Sequence, residues 1–248
     1  MFKYETHLHT YPVSRCGRVG VRENLEAYKV LGYDGVFITN HFLDGNVNIN
    51  QPMFFEDGER IVNLYQGDNL DMDAPITYED AIHFYFSDYE EAARIGKELG
   101  IKVFCGVELT YKGTDFLIYG LDKAWYLAHP EIMKMERSQE LLFMKEQGAL
   151  VIQAHPFREA GYIDHIRLFP RYVHGVEIIN ACHIRENEIA KVYAQHYGLL
   201  PFAGTDNHFG GSMGNLAGIC CEEPIKNESD FVEKIKGENY QLFTIKNG

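Results

Sequence analysis

Histidines and acidic residues come in closely spaced pairs at two distant points of the sequence. His7 and His9 are separated by one residue near the N-terminus, and Asp206 and His208 repeat this spacing about 200 positions later. On a strand, an i, i+2 spacing places both side chains on one face. Imidazoles and carboxylates are ligands for zinc, manganese and iron. Each pair therefore indicates a metal site, although either pair alone is a weak signal.

Three more residues of these types follow short apolar stretches that are typical of buried strands. They are His41, Glu108 and His155. Together with the two pairs they make seven ligand groups, which is more than one tetrahedral ion binds. The sequence therefore predicts two or three divalent ions, with Glu108 or Asp206 as a shared carboxylate. His183 also follows an apolar stretch by a few residues, and for it we keep both an uninvolved role and an approach to the site open.

The elements that must position these residues alternate along the chain. Short apolar stretches and helical patterns take turns, which is typical of βα repetition and a largely parallel sheet. Because the carboxyl ends of parallel barrel strands share one face, the ligand groups are expected to converge there. Strands are predicted at 2–9, 35–39, 101–107, 116–119, 149–153, 176–179 and 199–203, helices at 21–31, 78–99, 131–147 and 185–197, and one more helix and a terminal strand within 228–245.

Residues 43–77 interrupt this alternation. They carry Gly, Asn, Asp and Pro without a sustained period, and one short helix is expected near 53–65. No other segment divides the chain, so we expect a single barrel domain over 1–248 with an insertion at about 43–86. Because the insertion leaves the barrel directly after His41, it is expected to overhang the site and to influence selectivity.

The apolar positions from Tyr78 onward are spaced three or four apart as far as residue 99. This spacing favours one long helix. An alternative is a second helix that begins at the capping-box pattern of Ser87 and Glu90.

Composition limits the classes of protein and partner. The 248 residues are 46% hydrophobic and 24% charged, which supports a globular core. The 23 basic and 36 acidic residues give a net charge of −13, which argues against nucleic acid as a partner. No apolar stretch approaches the roughly 18–20 residues of a membrane helix, and the acidic N-terminal segment argues against export. The five cysteines contain no C-x-x-C pattern, so we expect a reducing cytoplasm.

The order of these motifs resembles that of a known family. His7-Leu-His9-Thr10, Ile38-Thr-Asn-His41, Gly106-Val-Glu108, Ala154-His155-Pro156 and Gly204-Thr-Asp206-Asn-His208 are similar to successive motifs of the PHP (polymerase and histidinol phosphatase) family, over residues 2 to about 210. The resemblance implies a distorted (β/α)7 TIM-like barrel with a trinuclear metal centre at the C-terminal face of its strands. It also implies phosphoester hydrolysis. Carried over by position, the ligands would be His7, His9, His41, Glu108, His155, Asp206 and His208.

The sequence departs from the family pattern at three positions. The segment 12–17 has no Asp or His where many relatives have a ligand, so either Cys16 substitutes for it or the ion at that position is weakly held or absent. Asp115 stands where relatives often have a histidine, and a carboxylate can also bind the ion. Asn40 replaces an Asp of many relatives, which is expected to change hydrogen bonding around the ligands more than the number of ions.

A metal centre of this kind predicts hydrolysis of a small phosphomonoester, as in histidinol phosphatases or nucleotide phosphoesterases. Metal-activated hydroxide would attack phosphorus, with Glu108, Asp206 and His208 as the catalytic groups. Arg158 lies three residues after His155 and is the first candidate to hold the substrate phosphate. Arg15 and Arg18, which follow the first strand, are further candidates.

Three alternatives remain open. One is a nuclease-like phosphodiesterase, for which the two arginines after the first strand are the only hint of a basic groove. Another is a metal-binding protein without turnover, and a third is a hydrolase of non-phosphate bonds. A nucleoside triphosphatase is not indicated, because the sequence has no phosphate-loop motif.

Overall fold

Strands and helices alternate along most of the chain in the computed structural model, which describes residues 1–61 and 70–246. The elements are β1 (Phe2–Leu8), α1 (Val21–Val30), β2 (Gly35–Ile38), β3 (Met53–Phe54), β4 (Arg60–Ile61), β5 (Ile76–Thr77), α2 (Tyr78–Leu99), β6 (Lys102–Tyr111), β7 (Thr114–Tyr119), α3 (Lys123–Ala128), α4 (Arg137–Glu146), β8 (Leu150–Gln153), β9 (Gly175–Asn180), α5 (Asn187–Tyr197), β10 (Leu200–Gly204), β11 (Asn215–Cys221), α6 (Glu228–Lys236) and β12 (Gln241–Lys246), with short 3-10 turns at 130–134, 184–186 and 210–212.

Seven strands form a nearly closed barrel in the order β1, β2, β6, β7, β8, β9 and β10. Hydrogen bonds between the ends of β1 and β10 close it: the His9 N–H donates to the Asn207 carbonyl at 3.0 Å, and the Asn207 N–H donates to the His7 carbonyl at 3.1 Å. β11 pairs antiparallel with the first residues of β1, on the edge away from β2, and β12 pairs antiparallel with β11, so both extend the sheet. The predicted distorted seven-stranded α/β barrel is confirmed.

One barrel strand, β7, runs antiparallel to both of its neighbours, while the other six run parallel to one another. A two-residue turn joins β6 to β7, and its residues Lys112 and Gly113 both have positive φ, 53° and 82°, as a type I′ hairpin requires. Because β7 is reversed, its first residues lie at the rim where the other strands end. This reversal brings Asp115 to the ligand face, opposite Thr110 of β6.

The opposite end of the barrel is filled by aromatic side chains. Phe231 of α6 packs against Phe37 of β2 and edge-on against Tyr119 of β7, with ring centroids 4.2 and 5.0 Å apart. Phe104 and Phe202 belong to the same fully buried cluster. Burying rings of this size supplies much of the hydrophobic stabilisation of a core. This end of the barrel is therefore closed by apolar packing, and the candidate ligand residues lie at the other end, the rim.

The insertion departs from its predicted structure. The short helix expected near 53–65 is wrong over the described part of that range, where β3 and β4 pair as strands and β5 joins them. Residues 62–69 lie outside the described part of the chain. Several described apolar residues of this segment, among them Leu43 and Val47, are buried in the core beside α2, and that packing holds short strands together that could not be stable alone.

The single long helix expected over 78–99 is confirmed as α2. It begins with a reciprocal capping box between Thr77 and Asp80, and Ser87 donates its hydroxyl to the Phe84 carbonyl instead of capping a new helix. The helix expected over 131–147 is divided, because residues 135 and 136 are extended between a 3-10 turn and α4. β11 was not anticipated, although its apolar stretch is long enough for a strand.

Candidate metal centre

The ends of β1, β6, β8 and β10 bring five buried side chains together, which we call the inner cluster. It consists of His7, His9, Glu108, His155 and Asp206, all at most 6% exposed. The family-type ligands separated by up to about 200 residues in sequence thus lie side by side, as the parallel strand ends require.

Glu108 occupies the middle of the inner cluster. Its Oε1 lies 3.1 Å from His7 Nε2 and 3.6 Å from His155 Nε2. Its Oε2 lies 3.3 Å from His9 Nε2 and 2.8 Å from His41 Nδ1. Each oxygen therefore faces two imidazoles, which is the arrangement of a carboxylate that bridges two ions.

A second group of donors adjoins the first on the solvent side. His9, Cys16, His41 and His208 offer ligand atoms that all lie within 4.8 Å of one another, and we call them the outer cluster. One thiol and three imidazoles form a donor set suited to tetrahedral zinc. Cys16 thus stands at the place where the sequence lacks the Asp or His of the family pattern.

Three of the histidines are held by a neighbour at Nδ1. His7 Nδ1 lies 3.0 Å from Glu177 Oε1, and His9 Nδ1 lies 3.2 Å from Ser14 Oγ. His208 Nδ1 lies 2.8 Å from the Asp206 carbonyl. Such partners fix the orientation and tautomer of a histidine and leave Nε2 available for a metal.

The buried carboxylates of the site are suited to divalent ions. Both oxygens of Glu108 and the Oδ1 of Asp115 are buried, and within the described ranges none has a hydrogen bond of good geometry. A buried carboxylate without donors is costly unless a cation compensates it. The imidazole nitrogens around Glu108 are spaced for sharing such a cation.

The pKa shifts in the inner and outer clusters agree with this fit. Burial lowers the pKa of His9 to about 3, with His208 acting in the same direction, so His9 is the neutral imidazole that a metal needs. Burial works against ionisation of Glu108, yet His41 and His7 hold its pKa well below the usual range. The pKa of Cys16 is raised by burial but lowered more by His41 and His208, to about 6, which favours the thiolate.

Two residues of the inner cluster have unusual backbones. His155 has a φ of 24° and Asp206 a φ of 60°, conformations that cost energy for residues other than glycine. The His155 N–H is fixed by Glu177 Oε2 at 3.1 Å. Strain of this kind is concentrated at functional sites.

The other candidate residues, one aspartate and three arginines, differ in how close they lie to the two clusters. Asp115 lies at the border of the inner cluster, with its Oδ2 2.7 Å from Arg158 Nη2. Arg158 is thus at the rim but already engaged. Arg15 donates to Asn50 of the insertion, and Arg18 is exposed, with its backbone N–H bonded to the His208 carbonyl at 2.9 Å.

Sequence reasoning missed Glu177 and Asn180, and left His183 undecided. Glu177 and Asn180 lie on β9, whose end carries no family motif, and nothing in their spacing distinguishes them from other polar residues. His183 Nε2 lies 3.3 Å from Asp206 Oδ2. The signal that could have found it was its place just after a strand.

Comparisons with known proteins agree with this fold. The family described as PHP-associated (PHP_C) matches residues 185–239. A two-domain protein from Bacteroides vulgatus ATCC 8482, described as containing a predicted PHP-like metal-dependent phosphoesterase, is similar over 98% of this chain with a TM-score of 0.63 and 14% identity. This chain covers 64% of that protein. PsfC from Pseudomonas syringae PB-5123 is similar over 99% of this chain and 92% of its own, with a TM-score of 0.56 and 14% identity.

No curated protein matches the chain significantly. The likeness to solved structures shows the fold, and the family match falls on its C-terminal part. Together they confirm the resemblance to the PHP family that the motifs indicate. Within the described residues, no helix has the length and apolar character needed to cross a membrane.

Proposed function

We propose that the chain is a metal-dependent hydrolase of phosphoesters, acting on a small phosphomonoester of the kind that histidinol phosphatases or nucleotide phosphoesterases use. The observation that carries the proposal is Glu108, whose two buried oxygens face four imidazoles without a hydrogen bond of good geometry in the described chain. The description of one neighbour as a PHP-like metal-dependent phosphoesterase supports the reaction class.

The centre would hold two to three divalent ions. A thiolate ligand favours zinc or iron over manganese in the outer cluster, since manganese prefers oxygen ligands. Asp115 is the ligand at the border, through its unpaired Oδ1. The proposed ligands are His7, His9, Cys16, His41, Glu108, Asp115, His155, Asp206 and His208.

Such ions lower the pKa of water and neutralise charge on phosphoryl oxygens. The protein's own part is to hold the donor atoms in place and to keep other groups from binding them. Glu108 and Asp206 lie among the histidines of the inner cluster. The Asp206 carbonyl orients His208 by contacting the Nδ1 of its ring. Arg158 lies beside them with a buried Nε that has no partner among the described residues, and we propose that it holds the substrate phosphate.

The insertion at about 43–86 is proposed to select the substrate within the single domain 1–248. The Asn48 N–H donates to the Val13 carbonyl at 2.8 Å, and the Arg15 N–H donates to the Asn46 carbonyl at 2.9 Å. These bonds attach the insertion to the loop that carries Cys16. The reducing, cytoplasmic setting expected from the cysteines is part of the proposal.

The experiment combines elemental analysis of the purified full chain with activity after chelation and restoration of zinc, manganese or iron. Phosphomonoesters, phosphodiesters and an oligonucleotide at two salt concentrations form the panel, with an ester and an amide as non-phosphate substrates. We expect metal-dependent release of phosphate from monoesters. Arg158→Ala should raise KM while the metal content stays unchanged.

Other outcomes would overturn the proposal in distinct ways. Salt-sensitive cleavage of the oligonucleotide alone would indicate a nuclease. Full metal content without turnover on any substrate would indicate a binding protein. Cleavage of the ester or amide alone would move the reaction to non-phosphate bonds, and failure to bind any metal would exclude the centre.

A further inference from the structure

The Asp206 carboxylate lies among five imidazoles. Its Oδ1 is 3.2 Å from His9 Nε2, 3.5 Å from His7 Nε2 and 3.6 Å from His208 Nδ1. Its Oδ2 is 3.3 Å from His183 Nε2 and 3.7 Å from His155 Nε2. The second oxygen therefore faces two imidazoles, and His183 supplies the nearer one.

The turn that presents His183 is built by a defined network. The Asn180 side-chain oxygen accepts the backbone N–H groups of Cys182 and His183 at 3.0 and 2.9 Å. The Asn180 amide donates to Glu177 Oε2 at 2.9 Å, and the Cys182 N–H also donates to the Thr205 carbonyl at 3.1 Å. His183 is thus positioned by the same Glu177 that orients His7.

The ring of His183 is placed for ligation in other respects. Its side chain is 27% exposed, so it lies at the mouth of the centre rather than in bulk solvent. It packs edge-on against His155, with ring centroids 5.1 Å apart. Cys182, His183 and Asp206 offer ligand atoms within 4.8 Å of one another.

Asp115 also lies near His155 but is paired with an arginine. Its Oδ2 is 3.7 Å from His155 Nε2 and 2.7 Å from Arg158 Nη2, whose guanidinium compensates its charge. The carboxylate that His155 shares with His183 is that of Asp206.

We propose that His183 is a further protein ligand of the ion that His155 and Asp206 hold. The end of β9, which carries no motif of the family resemblance, then contributes to the centre through its following turn. This inference rests on the proposed metal centre, and it adds a ligand to that centre.

The test uses zinc as the probe and compares four full-length proteins: wild type, His183→Ala, His183→Gln and His83→Ala. His83 is an exposed histidine on α2 and serves as the matched control. Bound zinc per chain is measured after buffer exchange, and its release is followed with a chromophoric chelator. Thermal unfolding of the metal-free proteins checks that each one folds.

We expect both His183 variants to lose one bound zinc, or to release one zinc at least about tenfold faster, the scale that loss of even an outer-shell partner costs. His83→Ala should behave as the wild type. His183→Gln keeps the length and polarity of the side chain, so it decides the question if the alanine variant does not fold.

Zinc content and release equal to the wild type would overturn the inference and leave the proposed function intact. The same result together with lost turnover would show that His183 acts on the substrate and is not a ligand. A wild type that binds no zinc, manganese or iron would overturn the proposed function itself, and this inference with it.

Discussion

Two buried carboxylates in neighbouring layers of the barrel have opposite surroundings. Glu5 on β1 is fully buried, and its Oε1 accepts the N–H groups of Thr6, His7 and Thr205 at 2.9–3.0 Å. Its Oε2 accepts the hydroxyls of Tyr28, at 2.8 Å, and Thr205. We call Glu5, Tyr28 and Thr205 the closing network, because they tie β1 to the end of β10.

Glu108 is equally buried but meets imidazole nitrogens instead of a full set of donors. The difference distinguishes a structural carboxylate from a ligand. Donors that saturate both oxygens satisfy a buried carboxylate within the protein, whereas a carboxylate among imidazoles depends on positive charge, which protonated histidines or a bound ion supply. Exposure alone would not separate the two residues.

The largest effect is expected from Glu108→Gln. The amide keeps the volume but removes the bridging charge, so metal affinity should fall by more than the roughly 10–100-fold cost of losing an outer-shell partner, and turnover should fall with it. Competition with a chelator measures the affinity. Thermal unfolding of the metal-free variant should remain cooperative, which separates the loss of affinity from a loss of the fold. Unchanged affinity would contradict the bridging role.

Glu177→Gln should have an intermediate effect, because it alters the support of a ligand rather than a ligand. Glu177 serves His7 Nδ1 with one oxygen and the His155 N–H with the other. An amide has only one oxygen, so one partner loses its acceptor. We expect metal affinity about tenfold lower, within the range for such partners, with little change in unfolding of the metal-free protein. A large loss of stability with unchanged affinity would show a structural role instead.

Glu5→Gln should give the reverse pattern. Its amide group can no longer accept both hydroxyls of the closing network, so stability should fall by about 1–3 kcal/mol, the scale of hydrogen bonds to a charged group. Metal content should remain that of the wild type. Denaturant unfolding of metal-free protein measures the loss, since bound ions would otherwise add stability of their own. If Glu5→Gln lost metal and kept its stability, the comparison of the two carboxylates would fail.

The sequence allowed the barrel and the approach of the main ligand-type residues to be predicted, because strand ends can be recognised from apolar stretches and parallel strands share one rim. His7, Glu108 and Asp206 are examples: each follows such a stretch, and the structure brings the three together. Their roles as ligands remain proposals.

What could not be predicted depends on contacts across the barrel. The reversal of β7, which carries Asp115 to the rim, follows from the two-residue turn at Lys112 and Gly113, and sequence period alone does not reveal strand direction. The Asp115–Arg158 ion pair joins residues 43 positions apart. Glu177 acts through His7, 170 positions away, and no local pattern records such a partnership.

The smallest effect is expected at His174, a partly buried histidine that, like Glu5, has a fixed partner away from the candidate metal centre. Its Nδ1 accepts the Val151 N–H at 3.1 Å, which requires the ring nitrogen to be unprotonated. Burial, with Lys145 and Lys236 adding to it, lowers the pKa of His174 from 6.5 to about 4. Between pH 6.5 and 4 the unfolded chain therefore takes up a proton that the folded protein does not, so stability falls as the pH falls.

A pKa difference contributes roughly 1.4 kcal/mol per unit to the free energy of unfolding when the group is fully buried. Because the His174 ring is only partly buried, we expect less than that for the whole difference, about 1–2 kcal/mol across this pH window. His174→Asn retains an acceptor near the Nδ1 position and does not titrate, so the metal-free variant should lose less stability than the wild type between pH 6.5 and 4. Denaturant unfolding at several pH values measures this, with the exposed His196→Asn as the control. Parallel curves of unfolding free energy against pH for wild type and His174→Asn would mean that His174 is protonated in the folded protein. A fixed hydrogen-bond partner would then not be enough to distinguish a structural ionisable group from a metal-binding one.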